Sequence, residues 1–373
     1  MTAGPLAGVR VVELAGIGPG PYACLLLAEM GAYVVRVDRP GGAGLDAAPT
    51  PTLNRSRPTV EADLKDAAGV ETVLRLAAAA DVLVEGMRPG VAERFGVGPQ
   101  QCRARHPALV YARMTGWGQD GPLAQAPGHD INYAGLVGAV HATGSADKPR
   151  QALNLVADFG GGSLFLVVGI LAALLERQRS GHGQVVDAAM VDGAASLLTI
   201  VYGPHADGLW TDRREENLLD GGAPFYDTYR CADGKHVAVG ALEPQFYAAL
   251  LDGLGLSFDT DQLDRTGWPA QREALTRAFA TRTRDEWCDH FSGRNACVSP
   301  VLGLDEAPHH PHLQARRTFT AERDGYEPVA APRFSRTPGH EPAGVAASAG
   351  TAAFLRAAGF TDDQVASLFS NHA

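Results

Sequence analysis

Short apolar runs alternate with helical stretches along the first half of the chain. "VRVVEL" (9–14) reads as a buried strand, followed by "AGIGPGP" and an apolar helix "YACLLLAEM" that Gly31 stops. "YVVRVD" (33–38) is a second strand, so these pieces predict a βαβ unit with a parallel, right-handed crossover. "GVETVLRLAAAA" follows as a helix, "DVLVEG" (81–86) as a third strand, and "ALVYARMTGWG" (108–118) as a fourth strand running into a loop. A helix is expected from His129 to about Val140, and a longer one from about Phe159 to Arg179, ended by "SGHGQ". "VVDAAM" (185–190) is a further strand, with a helix from about Asp192. Strands alternating with helices predict a doubly wound, Rossmann-like parallel sheet.

The pattern changes after about residue 205. "FYDTYRCADGKHVAVGAL" (225–242) has the alternation of a hairpin, with Asp233-Gly234 at its turn. "EPQFYAALLDGLG" and "WPAQREALTRAFA" read as helices and "CVSPVLGL" as a strand, which predicts a smaller α+β domain. The organisation expected is a large domain over 1–205, a small domain over 225–310 and a C-terminal segment over 311–373 that returns to the large domain. "GGAGLDAAPTPT" (41–52) reads as a loop.

Composition narrows the function classes. The 373 residues suffice for two domains, and 45% hydrophobic with 20% charged residues is ordinary for a soluble globular protein. The net charge is −10 with both signs interspersed, so neither a nucleic-acid face nor a basic membrane-binding tail is indicated. Five scattered cysteines without a CxxC suit a reducing cytosol, and the N-terminus lacks the pattern of a signal peptide, so the expected location is cytoplasmic. The longest apolar run, 164–175, is too short to span a bilayer and is expected to be a buried helix. "SNHA" at the C-terminus is not a peroxisomal address.

"GIGPGP" between a strand and a helix imitates a dinucleotide fingerprint, but Pro21 occupies the third glycine position and Pro19 stiffens the turn. Arg39, at the end of the second strand, has the charge to bind the phosphate of a phosphorylated adenosine, or is a solvated surface arginine. "PGHDINY" places two bases, His129 and Asp130, side by side behind Gly128; about 100° of helical rotation separates neighbours, so one can face a pocket while the other faces sideways. Asp158 opens the expected helix in "ADFGGGS" and is either a cap or an acid–base group. The glycines at 160–162 suit a close approach by another backbone or a ligand, and the free N–H groups of that first turn suit a developing negative charge. Glu243 precedes a helix starting near Pro244, where it complements the helix dipole or orients a histidine. "HHPH" (309–312) lacks the spacing of a metal site, and no GxSxG, HExxH or P-loop is present.

"GVRVVELAGIGPGPYAC", "VEGMRPGV", "YARMTGWGQDGP", "GHDINYAGL", "NLVADFGGGS", "GQVVDAAMVDG", "GGAPFYDTYRCADGK" and "VAVGALEPQFY" occur in order. Together they resemble the α-methylacyl-CoA racemases, members of the family III CoA-transferase superfamily, over nearly the whole chain. The resemblance implies racemisation of 2-methyl-branched acyl-CoA thioesters, with His129 and Asp158 as the acid–base pair and Glu243 hydrogen-bonded to the histidine. It also implies that Arg39 and the segment Ala62, Asp63, Leu64 and Lys65 contact coenzyme A, with Arg88 and Arg94 as further basic contacts and Gly128 and Tyr133 beside the bound thioester. Coenzyme A is then part of the substrate and no separate cofactor is expected. The family forms interlocked homodimers, with each active site between the large domain of one subunit and the small domain of the other. An α-proton of pKa on the order of 20 against roughly 7 for a histidine leaves a gap of about 18 kcal/mol, so the enolate oxygen must be stabilised; the helix start at Asp158 to Gly161 is the expected donor.

Two alternatives remain at this level. A CoA transferase of the same fold would use the Asp130 position as a nucleophile and pass through an acyl-enzyme anhydride. In transferases the preceding residue is commonly aromatic or apolar, whereas here it is His129. The other alternative is a non-catalytic acyl-CoA-binding protein. The acyl chain is not specified by these motifs; the loop around 41–55 and "TIVYGPHADGLWTDRRE" (199–215) are the segments expected to select it.

Overall fold

The computed structural model describes residues 4–41, 51–55, 57–322, 325–339 and 349–370; most of the loop expected at 41–52 lies outside them. The chain divides into two compact units, one of Met1–Val137, Ala152–Leu198 and Thr318–Ala373, the other of Gly138–Gln151 and Thr199–Arg317. Residues 138–151 therefore leave the first unit, in contrast to the unbroken 1–205 domain expected.

Six parallel strands organise the first unit: β1 (Arg10–Leu14), β2 (Tyr33–Asp38), β3 (Thr59–Glu61), β4 (Val82–Glu85), β5 (Val110–Thr115) and β6 (Val185–Ala189). Their order is β3-β2-β1-β4-β5-β6, so the sheet grows outward from β1 in both directions. Five of these strands coincide with the apolar runs of the sequence. β1, β2, β4 and β5 are buried along most of their length, and strands buried on both faces are rich in Val, Leu and Ala, which is why these stand out. The three residues of β3 are too few to make a pattern.

The helix Pro19–Glu29 crosses from β1 to β2, starting after Gly18 with φ +64°, and it is buried along Ala23, Cys24, Leu25, Leu27 and Ala28. Beneath it lies an ion-pair chain in the core. Arg36 Nη1 donates to Glu13 Oε1 at 2.8 Å, and Arg57 Nε lies 2.8 Å from Glu13 Oε2. All three side chains are almost wholly buried.

The long apolar helix differs from expectation. It begins at Leu155 rather than near Phe159, runs as a π-helix to Leu164, and continues as an α-helix over Phe165–Ser180. By length and composition this 26-residue helix could cross a membrane. Leu166, Val167, Ile170, Ala173 and Leu174 are instead buried, with the helix packed on β5 and β6. The expectation of a fully buried helix fails on its other face, where Val168 is 64% and Leu175 62% exposed.

In the second unit β7 (Tyr226–Arg230) and β8 (His236–Gly240) form the expected hairpin, and β9 (Val298–Pro300) pairs antiparallel with β8. Helices Pro244–Leu254, Trp268–Phe279 and Arg284–Phe291 belong to this unit. Its core is aromatic, with Phe225 edge-on to Trp268 and Tyr229 stacked on Phe279. The histidines of "HHPH" fall at a short helix, Pro311–Ala315, where the His310 ring accepts from the His312 N–H.

Candidate active site

Parallel strands of this order leave a crevice at their carboxyl ends where the direction of growth reverses. Here that point lies between β1 and β4, and a cleft of about 380 Å³ opens there. Leu14 at the end of β1, Val84 and Gly86 at β4, and Thr115 at β5 form its floor, and the "GIGPGP" turn forms one wall. His129, Tyr133 and Asp158 all line this cleft.

His129 and Asp130 part company at a helix start. His129 is the extended N-cap residue of the helix Asp130–Leu136, and its N–H donates to Asn132 Oδ1 at 3.1 Å. Its side chain is exposed at the cleft. Asp130, the first helical residue, turns inward and is only 6% exposed. Its Oδ1 accepts two backbone N–H groups, from Ala157 at 2.9 Å and Asp158 at 2.8 Å. It does not line the cleft, which places it poorly for attack on a thioester.

Asp158 is not a helix cap, because the helix starts at Leu155 and places Asp158 within its first turn. Of the N–H groups expected to receive a developing negative charge, that of Asp158 is already used by Asp130 and that of Phe159 by Asn154 O at 3.4 Å. That part of the expectation is corrected. The Asp158 carboxyl abuts the turn after β1, where a Cβ on Gly18 would sit 3.4 Å from its Oδ2. Burial, then the neighbouring Asp130 carboxylate, pushes its pKa up to about 6, against the opposing pull of the Asn154 amide and His129. An acid so poised can hold or release a proton near neutral pH.

Of the glycines after Asp158, Gly161 resolves toward a backbone approach. A Cβ on Gly161 would press on the backbone of Gly193 and Ala194 in the helix Met190–Leu197, and one on Gly193 would collide with the Gly161 carbonyl. Ser163 Oγ ties the same segment to the β1 turn by donating to Pro19 O at 2.7 Å.

Tyr133 supports His129 from behind. Its hydroxyl donates to the Gly128 carbonyl, its ring meets Trp117 edge-on at 4.7 Å, and it is 7% exposed. Gly128 lies so close that a Cβ there would reach the Tyr133 and Trp117 rings.

A second recess of about 580 Å³ shares Leu14 and Met87 with the first. Arg39, Ala62, Asp63, Leu64 and Lys65 line it, all from the carboxyl ends of β2 and β3. Asp38 Oδ1 accepts the Arg39 N–H at 2.8 Å, and Asp63 Oδ1 accepts the Lys65 N–H at 2.9 Å, so both basic residues stand on braced turns. Arg88 lines the first cleft, while Arg94 is exposed on the short helix Val91–Arg94 and lines neither recess. Glu243 belongs to the second unit, exposed at the N-cap of the helix Pro244–Leu254.

Sequence reasoning missed Glu85, at the end of β4. Its Oε2 accepts the Met87 N–H at 2.7 Å and its Oε1 the Arg113 Nε at 2.9 Å, which fixes the turn that carries Arg88. Burial raises its pKa. A single carboxylate in an apolar strand was the available signal.

The sequence profile of CoA-transferase family III matches residues 6–349. The chain belongs to CoA-transferase family III. Within the family it is 45% identical over 372 residues to the alpha-methylacyl-CoA racemase of Mus musculus, covering 98% of this chain and 96% of the mouse protein. It is 44% identical over 337 residues to the alpha-methylacyl-CoA racemase of Homo sapiens, covering 89% and 87%. Among solved structures it resembles a CAIB/BAIF family protein from Brucella suis, with a TM-score of 0.79 and 25% identity over 92% of this chain and 95% of that one.

Proposed function

We propose that the chain racemises 2-methyl-branched acyl-CoA thioesters at the α-carbon by two-base proton transfer between His129 and Asp158. The observation that carries this reading is the convergence of an exposed histidine and a carboxyl poised at about 6 on one cleft. Racemase-named relatives at 44–45% identity support the same activity. In one direction neutral His129 takes the α-proton and protonated Asp158 delivers one to the opposite face; the reverse direction exchanges the roles.

Coenzyme A is part of the substrate and lies along the second recess, its phosphates near Arg39 and Lys65. The reaction moves protons only, so it calls for no separate cofactor. The active form is a homodimer in which Glu243 of the small domain of one copy orients His129 of the other. The exposed apolar face of the long helix, with Val168 and Leu175, suits burial in such an assembly.

Incubating a single epimer of a 2-methylacyl-CoA in D₂O tests the reading. Deuterium at the α-carbon and drift toward an equal epimer mixture are expected, and His129→Ala should abolish the drift and, from the epimer that His129 deprotonates, the exchange as well. Acyl or CoA transfer to an added carboxylate without α-exchange, and a hydroxylamine-trappable adduct on Asp130, would instead establish the transferase.

A further inference from the structure

We infer that Asp130 is a positioning residue that acts through Asp158: it fixes the backbone that carries Asp158 and holds a second carboxylate against it. The inference rests on the two-base reading above. Asp130 meets Asp158 from a different element and across 28 residues of sequence. One oxygen, Oδ1, takes both the Ala157 and Asp158 N–H groups, so the start of the π-helix hangs from this single atom. The other oxygen, Oδ2, is buried with no hydrogen-bond partner among the described residues. A buried carboxylate with an unused oxygen carries a charge that solvent screens poorly.

Asp158 sits among few opposing charges. Its own helix offers the neutral Asn154 amide, the β1 turn offers Gly18, and the helix that begins at Asp130 offers His129 and the Tyr133 ring; Arg88 faces Tyr133 from the β4 turn. Asp130 is the anion in this set. Like charge disfavours ionisation of a neighbour, which keeps Asp158 protonated to higher pH than a solvated aspartate. The neighbouring carboxylate is among the causes of the rise in its pKa, second to burial.

Asp130→Asn separates the two roles, since the amide oxygen still accepts both N–H groups while the charge is gone. The readout is the pH dependence of α-proton exchange into D₂O, measured from each epimer. With Asp130→Asn, the limb assigned to Asp158 should move to lower pH by about one unit in both directions. Asp130→Ala removes the acceptor as well and should lower kcat about a hundredfold, with KM for the acyl-CoA nearly unchanged. An unmoved limb in Asp130→Asn, or a kcat retained in Asp130→Ala, overturns the inference. Should either variant fold poorly, carboxyl ¹³C titration of Asp158 in the wild-type protein serves in its place. An inflection above the ordinary aspartate value is expected; one at the ordinary value overturns the inference. Failure of the two-base reading itself looks different: Asp158→Asn would still interconvert the epimers, whatever Asp130→Asn does.

Discussion

Asp158 and His129 do opposite jobs in the two directions, and the pH dependence follows from that. An acid whose folded pKa is raised to about 6 is protonated below that value and ionised above it. The reactive form holds a single proton on the pair, on Asp158 in one direction and on His129 in the other, so both directions draw on the same total protonation and share one pH profile, with Asp158 contributing a limb near 6. Epimer-resolved kcat/KM between pH 5 and 8 should follow the same profile from both epimers, and limbs of opposite slope would count against the assignment. Asp158→Asn should lower kcat by on the order of 10³ in both directions, since neither transfer then has its partner. Tyr133→Phe keeps the ring that packs on Gly128 but deletes the hydroxyl that donates to its carbonyl. The loss should appear as about a tenfold fall in kcat with little change in Tm, because it loosens the residue before His129 rather than the core.

Two elements are held together by contacts that tolerate no added atom. The π-helix and the helix Met190–Leu197 meet backbone to backbone at Gly161 and Gly193. Neither backbone can yield as a side chain would, so Gly193→Ala should destabilise the first unit by on the order of 3 kcal/mol or more, read as a lower urea midpoint. The chain from Arg36 through Glu13 to Arg57 joins β1, β2 and the segment before β3. Removing Arg57 leaves the Glu13 charge partly unpaired in the core, and Arg57→Ala should cost about 3–5 kcal/mol. At this scale the sequence was legible where apolar residues run together: β1, β2, β4, β5 and β6 appear as apolar runs, although Val185 and Asp187 of β6 are exposed. It was not legible where geometry depends on a distant segment. Gly161 suited a ligand or a backbone equally, and only Gly193, some thirty residues away, decides between them.

For the whole molecule, the apolar face along Leu164, Val168 and Leu175 stays exposed in a single copy. If the homodimer buries it, Val168→Glu combined with Leu175→Glu should yield a monomer by light scattering and remove racemisation together with dimerisation. A monomer that racemises normally would separate the two.

By itself the sequence determined the parallel α/β class, the family and the short set of bases from which the acid–base pair is drawn. Those follow from local periodicity and from motifs, which are properties of near neighbours along the chain. The tertiary structure decided how the set divides. It turned His129 out to the cleft and Asp130 in toward the backbone of Ala157 and Asp158, and it occupied two of the N–H groups that were expected to receive the enolate, those of Asp158 and Phe159. Spacing fixes the angle between adjacent side chains, but only packing against the sheet fixes which of them faces the crevice. A proton affinity such as that of Asp158 depends on burial and on charges brought close by folding, which no local pattern records.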